Sequence, residues 1–360
     1  MRADFPAARN VTDGLRPSLD EVPMNKAFSI VPGKVVHAIV HDDVAGCTRR
    51  VEEAYLAHAD GRTVNPDSYF LLFPEKPRSR IIALPAYLGG DADVAGIKWI
   101  ASYPDNIKQG IPRASAVLIL NSYETGYPFA CLEASIISAA RTAGSAALAA
   151  EWMNGGRREV RTLGIVGNGL IARYIYTFLI ALGWSIDEVL LHDLDPAESE
   201  RFAGSVCQSA RHRRVAPMPD LESTIRGSDL LVIATVAGTP HILDPGLFSH
   251  APIVLNISLR DLAPEILLSS YNIVDDVEHV MKANTSPHLA EQMTGARSFV
   301  TGTLAQLIRG ERRVDRSKPI IFSPFGLGVL DLAIGKWVYD VATSRGEAVV
   351  VNDFFFETTR

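Results

Sequence analysis

The sequence predicts an α/β protein in which a doubly wound parallel sheet is inserted into an α+β domain. Two observations support this fold class. Strand and helix patterns alternate regularly between about residues 157 and 315, which is typical of a parallel sheet with helices on both faces. A sheet-rich segment of about 150 residues precedes this region, and a strand and a long helix follow it.

Composition narrows the class of protein. The chain of 360 residues is too long for one ordinary core and favours two domains. Its net charge of −6 disfavours a nucleic-acid partner. Its three cysteines fit a reducing compartment, and none has the spacing of a metal site. We therefore expect no metal site. Because no signal-peptide pattern and no apolar run of about 18 residues is present, we also expect a cytoplasmic protein with no membrane partner.

The first predicted domain covers residues 1–156. Residues 1–30 are expected to be irregular because prolines interrupt them. Extended segments with turn signals between them predict strands at 34–40, 69–73, 80–87, 95–102 and 116–121. Helical patterns predict helices at 48–60 and 131–154, the latter ending at Gly155-Gly156.

The second predicted domain covers residues 157–315. Strands are predicted at 161–166, 188–192, near 214, and at 230–235, 253–257 and 272–275, with helices at 170–182, 196–210 and 221–227. A strand at 319–322 and a helix at 331–345 follow, and we expect them to pack back on the first domain. Residues 316–360 would thus complete the first domain.

A glycine-rich turn links the first strand of the second domain to its helix. The pattern is G-x-G-x-x-A, the fingerprint of Rossmann-type dinucleotide sites. Gly167 permits the tight turn, Gly169 lets the backbone approach a pyrophosphate, and Ala172 lets the helix lie close to the strand. The helix N-terminus then faces an anion. The residues expected to contact the cofactor here are Gly167, Asn168, Gly169, Leu170 and Ile171.

An acidic residue ends the next strand. Asp193 is placed to accept hydrogen bonds from the adenosine ribose, and its charge would repel a 2′-phosphate, which favours NAD over NADP. An aspartate that only caps a turn is the alternative. Thr235, Val236 and Ala237 follow a later strand and would line the nicotinamide half, unless they form an ordinary strand-to-loop transition.

Several ordered motifs resemble the ornithine cyclodeaminase/μ-crystallin family. They lie at 84–87, 98–100, 104–106, 110–113, 118–121, 125–128, 141–143, the glycine turn and 325–326, and so span most of the chain. Within the family, the segments 80–87, 96–106 and 257–265 are most similar to the dehydrogenases of L-2,3-diaminopropionate synthesis, which serve siderophore and peptide-antibiotic pathways.

The resemblance implies an activity. An NAD-dependent dehydrogenase of this branch would oxidise N-(2-amino-2-carboxyethyl)-L-glutamate with hydrolysis to L-2,3-diaminopropionate, 2-oxoglutarate and NADH. The family also implies a homodimer formed through the first domain, which binds the substrate. Two alternatives remain: cyclodeamination of ornithine to proline and ammonia, and a non-catalytic nicotinamide-binding protein like μ-crystallin.

The resemblance also implies site residues. Lys98 and Arg141 would serve the substrate carboxylate and the cofactor side, with Thr142 beside them, and Arg80 would help to hold a carboxylate. The position of Arg113 lies near cofactor phosphate in relatives. Asp261 would lie beside the reacting carbon and the cofactor and act in proton transfer, directly or through water.

The residues alone leave other interpretations open. Lys98 lies in an apolar strand, where a lysine usually faces solvent. Arg141 could pair structurally with Glu133, and Asp261 could be an exposed loop acid. The chain also departs from ornithine cyclodeaminases, which carry an acid in the strand around 82–85 and a lysine where this chain has Glu265. Both departures weaken ornithine as the substrate.

Overall fold

The computed structural model describes residues 27–356, which form two eight-stranded sheets joined by helices. The first sheet contains β1 (Phe28–Val31), β2 (Thr63–Val64), β3 (Tyr69–Leu72), β4 (Arg80–Leu88), β5 (Val94–Ser102), β6 (Ala114–Ser122) and β7 (Pro128–Glu133). The second contains β8 (Glu159–Val166), β9 (Ser185–His192), β10 (Arg214–Pro217), β11 (Leu230–Ile233), β12 (Ile253–Asn256), β13 (Tyr271–Val274), β14 (Val300–Thr303) and β15 (Ile320–Ser323). The last strand, β16 (Val349–Val351), returns to the first sheet.

The helices lie between these strands. They are α1 (Gly33–Asp42), α2 (Val44–Ala59), α3 (Ser135–Met153), α4 (Leu170–Ala181), α5 (Pro196–Ser205), α6 (Leu221–Arg226), α7 (Pro264–Leu268), α8 (Val277–Val280), α9 (Ser286–Thr294), α10 (Leu304–Ile308) and α11 (Gly328–Ser344). None of them, within residues 27–356, combines the length and hydropathy needed to cross a membrane.

The first sheet has strand order β16-β1-β7-β6-β5-β4-β2, with β3 paired to β4. Strands β4, β5 and β6 run antiparallel, and Lys98 lies opposite Leu84 on one side and Leu118 on the other. Because side chains alternate between the faces of a strand, these three residues share one face. Helix α11 packs against this face, where a Cβ on its Gly335 would meet the Leu118 side chain at 2.1 Å.

The second sheet is wholly parallel, with strand order β10-β9-β8-β11-β12-β15-β13-β14. Crossover helices and apolar strands such as Leu230–Ile233, buried at all four positions, are typical of this arrangement. The predicted α/β class with a doubly wound parallel sheet is confirmed. The sheet includes β15, which lies beyond the predicted end of the inserted domain at residue 315.

Two predicted elements of the first domain differ in the structure. Residues 34–40, predicted as a strand, lie in α1, where Val36, Ile39 and Val40 are buried at helical spacing. Tertiary packing thus overrides β-propensity here. The predicted helix 131–154 begins only at Ser135, because residues 128–133 pair with β6 as β7. Residues 28–30, predicted irregular, belong to β1, and 1–26 lie outside the described residues.

Candidate active site

The turn between β8 and α4 can be built only with glycine at its first position. Gly167 has φ +84°, and a Cβ there would lie 2.7 Å from the Ala234 carbonyl oxygen and 3.0 Å from the Thr235 nitrogen. A Cβ on Gly169, by contrast, would meet no atom within 4 Å. One glycine thus lets two loops approach each other, while the other borders open space at a helix N-terminus. This arrangement fits a dinucleotide pyrophosphate.

Polar contacts fix the far side of this turn. The Asn168 backbone N–H donates to Oδ2 of Asp193 at 2.7 Å, and the Asp195 N–H donates to Oδ1 of the same carboxylate at 3.0 Å. The buried Asn168 side chain accepts a hydrogen bond from Ser199 at 2.7 Å. Asp193 therefore lies at the turn, as the sequence predicted, and Leu170 beside it is 52% exposed. Asn168 has a structural partner that the pattern did not reveal.

A cleft of about 380 Å³ lies between the first sheet and the loops of the second. Its walls come from β3–β5, from α3 and from loops after β11, β12 and β15. The lining residues include Phe70, Arg80, Ile82, Leu84, Lys98, Ile100, Ser138, Arg141, Gly238, Leu259, Arg260, Phe325 and Gly326. Arg80, Lys98 and Arg141, which are 61 residues apart in sequence from first to last (141 − 80), thus share one cavity.

Lys98 and Arg141 share a buried carboxylate. Lys98 Nζ lies 2.7 Å from Asp331 Oδ2, and Arg141 Nε lies 3.2 Å from Asp331 Oδ1. The Lys98 ammonium also donates to Ser138 Oγ at 3.2 Å. Burial lowers the pKa of Lys98 to about 8, and nearby Arg141 lowers it too, whereas Asp331 raises it. The lysine faces the cleft rather than bulk solvent.

Sequence reasoning missed Asp331. It lies in the first turn of α11 and is fully buried. The one signal in the sequence is an acid within an otherwise apolar helix, V-L-D-L-A-I-G, which is unusual unless the acid is paired. Arg141 pairs with Asp331 and not with Glu133, whose carboxylate instead accepts the backbone N–H groups of Ser135 and Ile136.

A second cavity of about 170 Å³ adjoins the first. It shares Arg141, Leu259, Phe325 and Gly326 with the cleft and adds Thr142, Ile171, Ile257 and Pro324. Thr142 Oγ1 donates to the Ser138 carbonyl at 2.7 Å. Because this cavity reaches α4 at Ile171, it extends from the cleft to the helix that follows the glycine turn.

The loop after β15 is fixed by another acid that the sequence did not reveal. Asp275 is buried, and its Oδ2 accepts the Gly326 N–H at 2.6 Å. Burial raises the pKa of Asp275, and hydrogen bonds from backbone N–H groups lower it. A Cβ on Gly326 would lie 2.7 Å from Arg141 Nη1, so this glycine allows the loop to pack on the guanidinium.

Two further arginines, Arg80 and Arg113, lie near each other on the first sheet, and Arg80 lines the cleft. Arg80 lies opposite Ser102 in the β4–β5 ladder, and Arg113 Nε donates to Ser102 Oγ at 3.4 Å. Arg80 Nε is buried without an acceptor in the described chain. Burial and the charge of Arg80 both lower the pKa of Arg113. Arg113 is not among the described residues that line either cavity, and its predicted contact with cofactor phosphate stays a prediction.

Asp261 is a buried acid rather than an exposed loop residue. Its Oδ1 accepts hydrogen bonds from Thr235 Oγ1 and from His241 Nε2, the latter at 3.0 Å. Its Oδ2 is buried without a partner in the described chain. At this point the cleft wall is formed by Leu259 and Arg260, and Asp261 does not line it. His241, which sequence reasoning missed, is 40% exposed at its side chain and connects Asp261 to the surface.

The loop after β11 also joins this group. Thr235 Oγ1 accepts the Ala237 N–H at 3.1 Å while it donates to Asp261. Val236 is 72% exposed, and Gly238 lines the cleft. The structure therefore brings Thr235 together with Asp261, and it brings Arg80 together with Lys98 and Arg141. Asp193, Gly167 and Gly169 line neither cavity, and Ile171 of α4 is the cavity residue that follows the glycine turn in the chain.

Known proteins are similar to this chain in sequence and in fold. A dehydrogenase of N-((2S)-2-amino-2-carboxyethyl)-L-glutamate from Staphylococcus aureus is 29% identical over 314 residues, covering 83% of this chain and 91% of the relative. An alanine dehydrogenase from Archaeoglobus fulgidus is 30% identical over 301 residues, covering 82% and 89%. A solved archaeal alanine dehydrogenase dimer with bound NAD superposes with a TM-score of 0.80 at 26% identity, covering 91% and 100%.

A family model shows to which protein family this chain belongs. The model of the ornithine cyclodeaminase/mu-crystallin family matches residues 34–346, which include the whole second sheet, the first sheet except β1 and β16, the glycine turn and the cleft. The resemblance inferred from the sequence is thereby confirmed, and this chain belongs to the ornithine cyclodeaminase/mu-crystallin family.

Proposed function

We propose that this protein is an NAD-dependent dehydrogenase that converts N-(2-amino-2-carboxyethyl)-L-glutamate and water into L-2,3-diaminopropionate and 2-oxoglutarate, with formation of NADH. One observation carries the proposal. A cleft lined by Arg80, Lys98 and Arg141 lies next to a buried carboxylate, Asp261, of which one oxygen has no partner in the described chain. Cations suit a substrate with several carboxylates, and the free oxygen suits a proton acceptor.

NAD supplies the hydride acceptor when it is bound. The open space at Gly169 and the requirement for glycine at position 167 fit its pyrophosphate, and Asp193 would accept from the adenosine ribose. The nicotinamide end would lie at the second cavity. The residues proposed to hold the cofactor are Arg113, Arg141, Thr142, Gly167, Asn168, Gly169, Leu170, Ile171, Asp193, Thr235, Val236, Ala237 and Asp261.

Proton transfer is assigned to Asp261. The substrate amine must lose its proton before the glutamate α-carbon can release hydride, because an ammonium has no lone pair to form the C=N bond. Oδ2 of Asp261 takes this proton, directly or through water. Water then adds to the C=N carbon, and the C–N bond breaks to leave the ketone of 2-oxoglutarate and the amine of diaminopropionate. Such general acid–base catalysis contributes roughly 10²–10⁴-fold.

Carboxylate binding is assigned to Lys98, Arg141 and Arg80. The shared Asp331 holds the lysine and Arg141 in fixed positions, so little side-chain entropy remains to be lost when a carboxylate binds. Lys98 in addition acts next to the reacting centre, where its positive charge stabilises the carboxylate of the reacting amino acid.

Other family chemistries make different demands on this cleft. Ornithine carries a second ammonium, which Arg80 and Lys98 would repel. A non-catalytic nicotinamide-binding protein would not need a buried acid with a partner-free oxygen. The relative from Staphylococcus aureus supports the glutamate conjugate, whereas the archaeal alanine dehydrogenase supports a smaller amino acid as the competing substrate.

A substrate panel tests the proposal. Purified protein with NAD would be given the glutamate conjugate, L-alanine and L-ornithine in separate reactions, and NADH would be followed by absorbance. We expect NADH from the conjugate at a kcat/KM at least about 10²-fold above that for alanine. Faster NADH formation from alanine, or ammonia from ornithine without net NADH, would refute the assignment.

We also propose a homodimer formed through the outer face of the first sheet. Tyr69, Ala83, Trp99 and Val117 lie opposite one another on β3 to β6, on the face away from Lys98. Tyr69 is 72% and Trp99 40% exposed. An apolar row of this kind suits a second copy of the chain. Light scattering should give twice the chain mass, and Trp99→Asp should shift it toward the monomer.

The pathway and the compartment are also proposals. The resemblance supports a cytoplasmic enzyme in siderophore or peptide-antibiotic synthesis, because such pathways use diaminopropionate as a building block. A neighbouring gene for a pyridoxal-dependent synthase that joins a serine derivative to glutamate would support this placement. Its absence, together with neighbours for amino-acid catabolism, would contradict it.

A further inference from the structure

The guanidinium group of Arg260 is held in one orientation at the wall of the cleft. It belongs to the loop after β12, and both Nε and Nη2 donate to the Ala283 carbonyl, at 3.0 and 2.7 Å. Both residues line the cleft. Because one edge of the guanidinium is occupied by this carbonyl, the remaining N–H groups are available to a ligand in the cleft.

The backbone around Arg260 adopts conformations that L-residues rarely take. Leu259, Ala283 and Asn284 have φ values of +77°, +53° and +52°. The Leu259 carbonyl accepts the Ser286 N–H at 2.7 Å, which ties the two loops together. Backbone strain of this kind costs on the order of 1–3 kcal/mol per residue and often occurs where a structure orients a ligand-binding group.

Arg260 and Arg80 are unpaired cations in the same cavity. Arg80 lies on β4 of the first sheet and Arg260 in the loop after β12 of the second, and both line the same cleft. Within residues 27–356, no carboxylate forms an ion pair with either one, and Arg80 Nε is buried without an acceptor. Burial and the charge of Arg80 lower the pKa of Arg260, which Asp261 partly offsets. Two guanidinium groups that share a cavity and lack a carboxylate partner favour the binding of an anion near both.

We propose that Arg260 and Arg80 form a second carboxylate subsite, separate from the Lys98–Asp331–Arg141 group, which selects amino-acid substrates that carry an additional carboxylate. This inference rests on the proposed function and deepens it. The group bound here is the side-chain carboxylate of the glutamate half, remote from the reacting carbon. Arg260 is therefore the residue that separates dicarboxylate from monocarboxylate substrates.

The two positive charges of the subsite discriminate among amino-acid substrates by side-chain charge. A monocarboxylate such as alanine leaves both guanidinium groups without a counter-ion, and a substrate with a cationic side chain is repelled by them. A planar carboxylate can accept two hydrogen bonds from a fixed guanidinium, which a lysine ammonium cannot match in geometry. Selection therefore depends on the charge of Arg260 and on its orientation by Ala283.

The test measures binding and needs no turnover. Protein saturated with NADH would be titrated calorimetrically with 2-oxoglutarate, a dicarboxylate, and with 2-oxobutyrate, its monocarboxylate counterpart. We expect the wild type to prefer 2-oxoglutarate by on the order of 10²-fold, as for a hydrogen-bonded charge pair. In Arg260→Gln this ratio of dissociation constants should fall to within about threefold, and Arg260→Lys should keep about tenfold.

A matched control separates selectivity from folding. Arg226 is also in the second domain and donates to a backbone carbonyl, that of Gly246 at 3.1 Å, but it does not line the cleft. Arg226→Gln should keep the full ratio. An unchanged ratio in Arg260→Gln, or no preference in the wild type, would overturn the subsite. Failure of the wild type to form NADH from the conjugate would instead reject the proposed function and leave this ratio intact.

Discussion

The proposed cofactor end and the proposed substrate end of the site are built in different ways. At the cofactor end, Gly167, Gly169 and Asp193 come from one strand–turn–helix unit and the strand that follows it. At the substrate end, Arg80, Lys98 and Arg141 come from two strands and a helix, and α11 adds the carboxylate that joins two of them. A local unit can be recognised from its spacing, whereas a site assembled from distant elements cannot.

The two ends also differ in the interactions that determine ligand binding and stability. The cofactor end depends on backbone N–H groups and on the absence of side chains, so a substitution acts through space and φ. The substrate end depends on buried charges that compensate each other, so removal of one charge leaves another unpaired. Substitutions at one end should therefore leave ligand binding at the other end nearly unchanged, and the predictions below test this independence.

The largest effect is expected from Asp261→Asn. The amide is close in shape and can still accept from Thr235 Oγ1, but it cannot take a proton. We expect kcat to fall by roughly 10²–10⁴-fold. The dissociation constant of NAD, measured by protein fluorescence, should change far less than kcat, because Asp261 is only one of the residues proposed to hold the cofactor and the amide keeps its shape. A loss of less than tenfold in kcat would remove Asp261 from the proton-transfer role.

The next effect is on stability. Asp331→Asn leaves Lys98 and Arg141 buried without their shared counter-charge, and loss of one partner of a buried pair costs about 3–5 kcal/mol. Denaturant unfolding with NADH present and absent measures this cost. Asp340→Asn, which removes an exposed partner of Lys336 on the same helix, is the control and should cost under about 1 kcal/mol. Equal effects of the two substitutions would contradict a buried pair.

The two glycines of the turn provide a matched pair. Gly167→Ala should destabilise the protein by at least about 1–3 kcal/mol, because φ +84° and the contact with Ala234 both oppose a Cβ. At position 169 the backbone φ is ordinary for an L-residue and an added Cβ meets no atom, so Gly169→Ala should change the free energy of unfolding by under about 0.5 kcal/mol. We expect it instead to weaken NAD binding about tenfold, since its Cβ would occupy the pyrophosphate space. Full NAD affinity in Gly169→Ala would contradict the assignment.

A smaller effect is expected from Asp193→Ser. Serine keeps a hydrogen-bonding group near the Asn168 N–H but removes the charge that opposes a 2′-phosphate. The ratio of kcat/KM for NAD to that for NADP should fall by about 10–10²-fold. Affinity for 2-oxoglutarate should not change. An unaltered cofactor ratio would count against the ribose role and favour a purely structural turn.

The smallest effect is a pH dependence. Because burial lowers the pKa of Lys98 to about 8, its ammonium is lost as the pH rises through that value, earlier than for an ordinary lysine. Carboxylate ligands stay ionised over this range, so the affinity for 2-oxoglutarate should fall about tenfold between pH 7 and pH 9. Lys98→Arg, which keeps its charge, should remove this dependence, and its persistence in that variant would exclude Lys98 as the titrating group.

For physical reasons, the sequence alone indicates residues of the proposed cofactor end more readily than residues of the proposed substrate end. The glycine turn and its acid are fixed by spacing along the chain. Lys98, Arg80 and Arg141 were identified by family resemblance, since their residue types alone fit solvent-facing or structural roles equally well. Asp331, Asp275 and His241 were missed because only the tertiary fold brings each of them to its partner.

The same distinction explains the errors in secondary structure. Residues 34–40 are rich in β-branched side chains, and only packing of Val36, Ile39 and Val40 on the core decides for a helix. Part of strand β7 was assigned to the predicted helix 131–154 because its apolar residues lie immediately before α3. The elements of the parallel sheet were predicted more closely, since glycine, aspartate and proline punctuate them.

The stoichiometry of one reaction tests the proposed oxidation of the glutamate conjugate. The protein would be incubated with NAD and a limiting amount of the glutamate conjugate, and NADH, 2-oxoglutarate and diaminopropionate would be quantified at completion. We expect equal molar amounts of all three, because one hydride and one water are used per substrate. Consumption of the conjugate without net NADH would show redox-neutral chemistry and contradict the account.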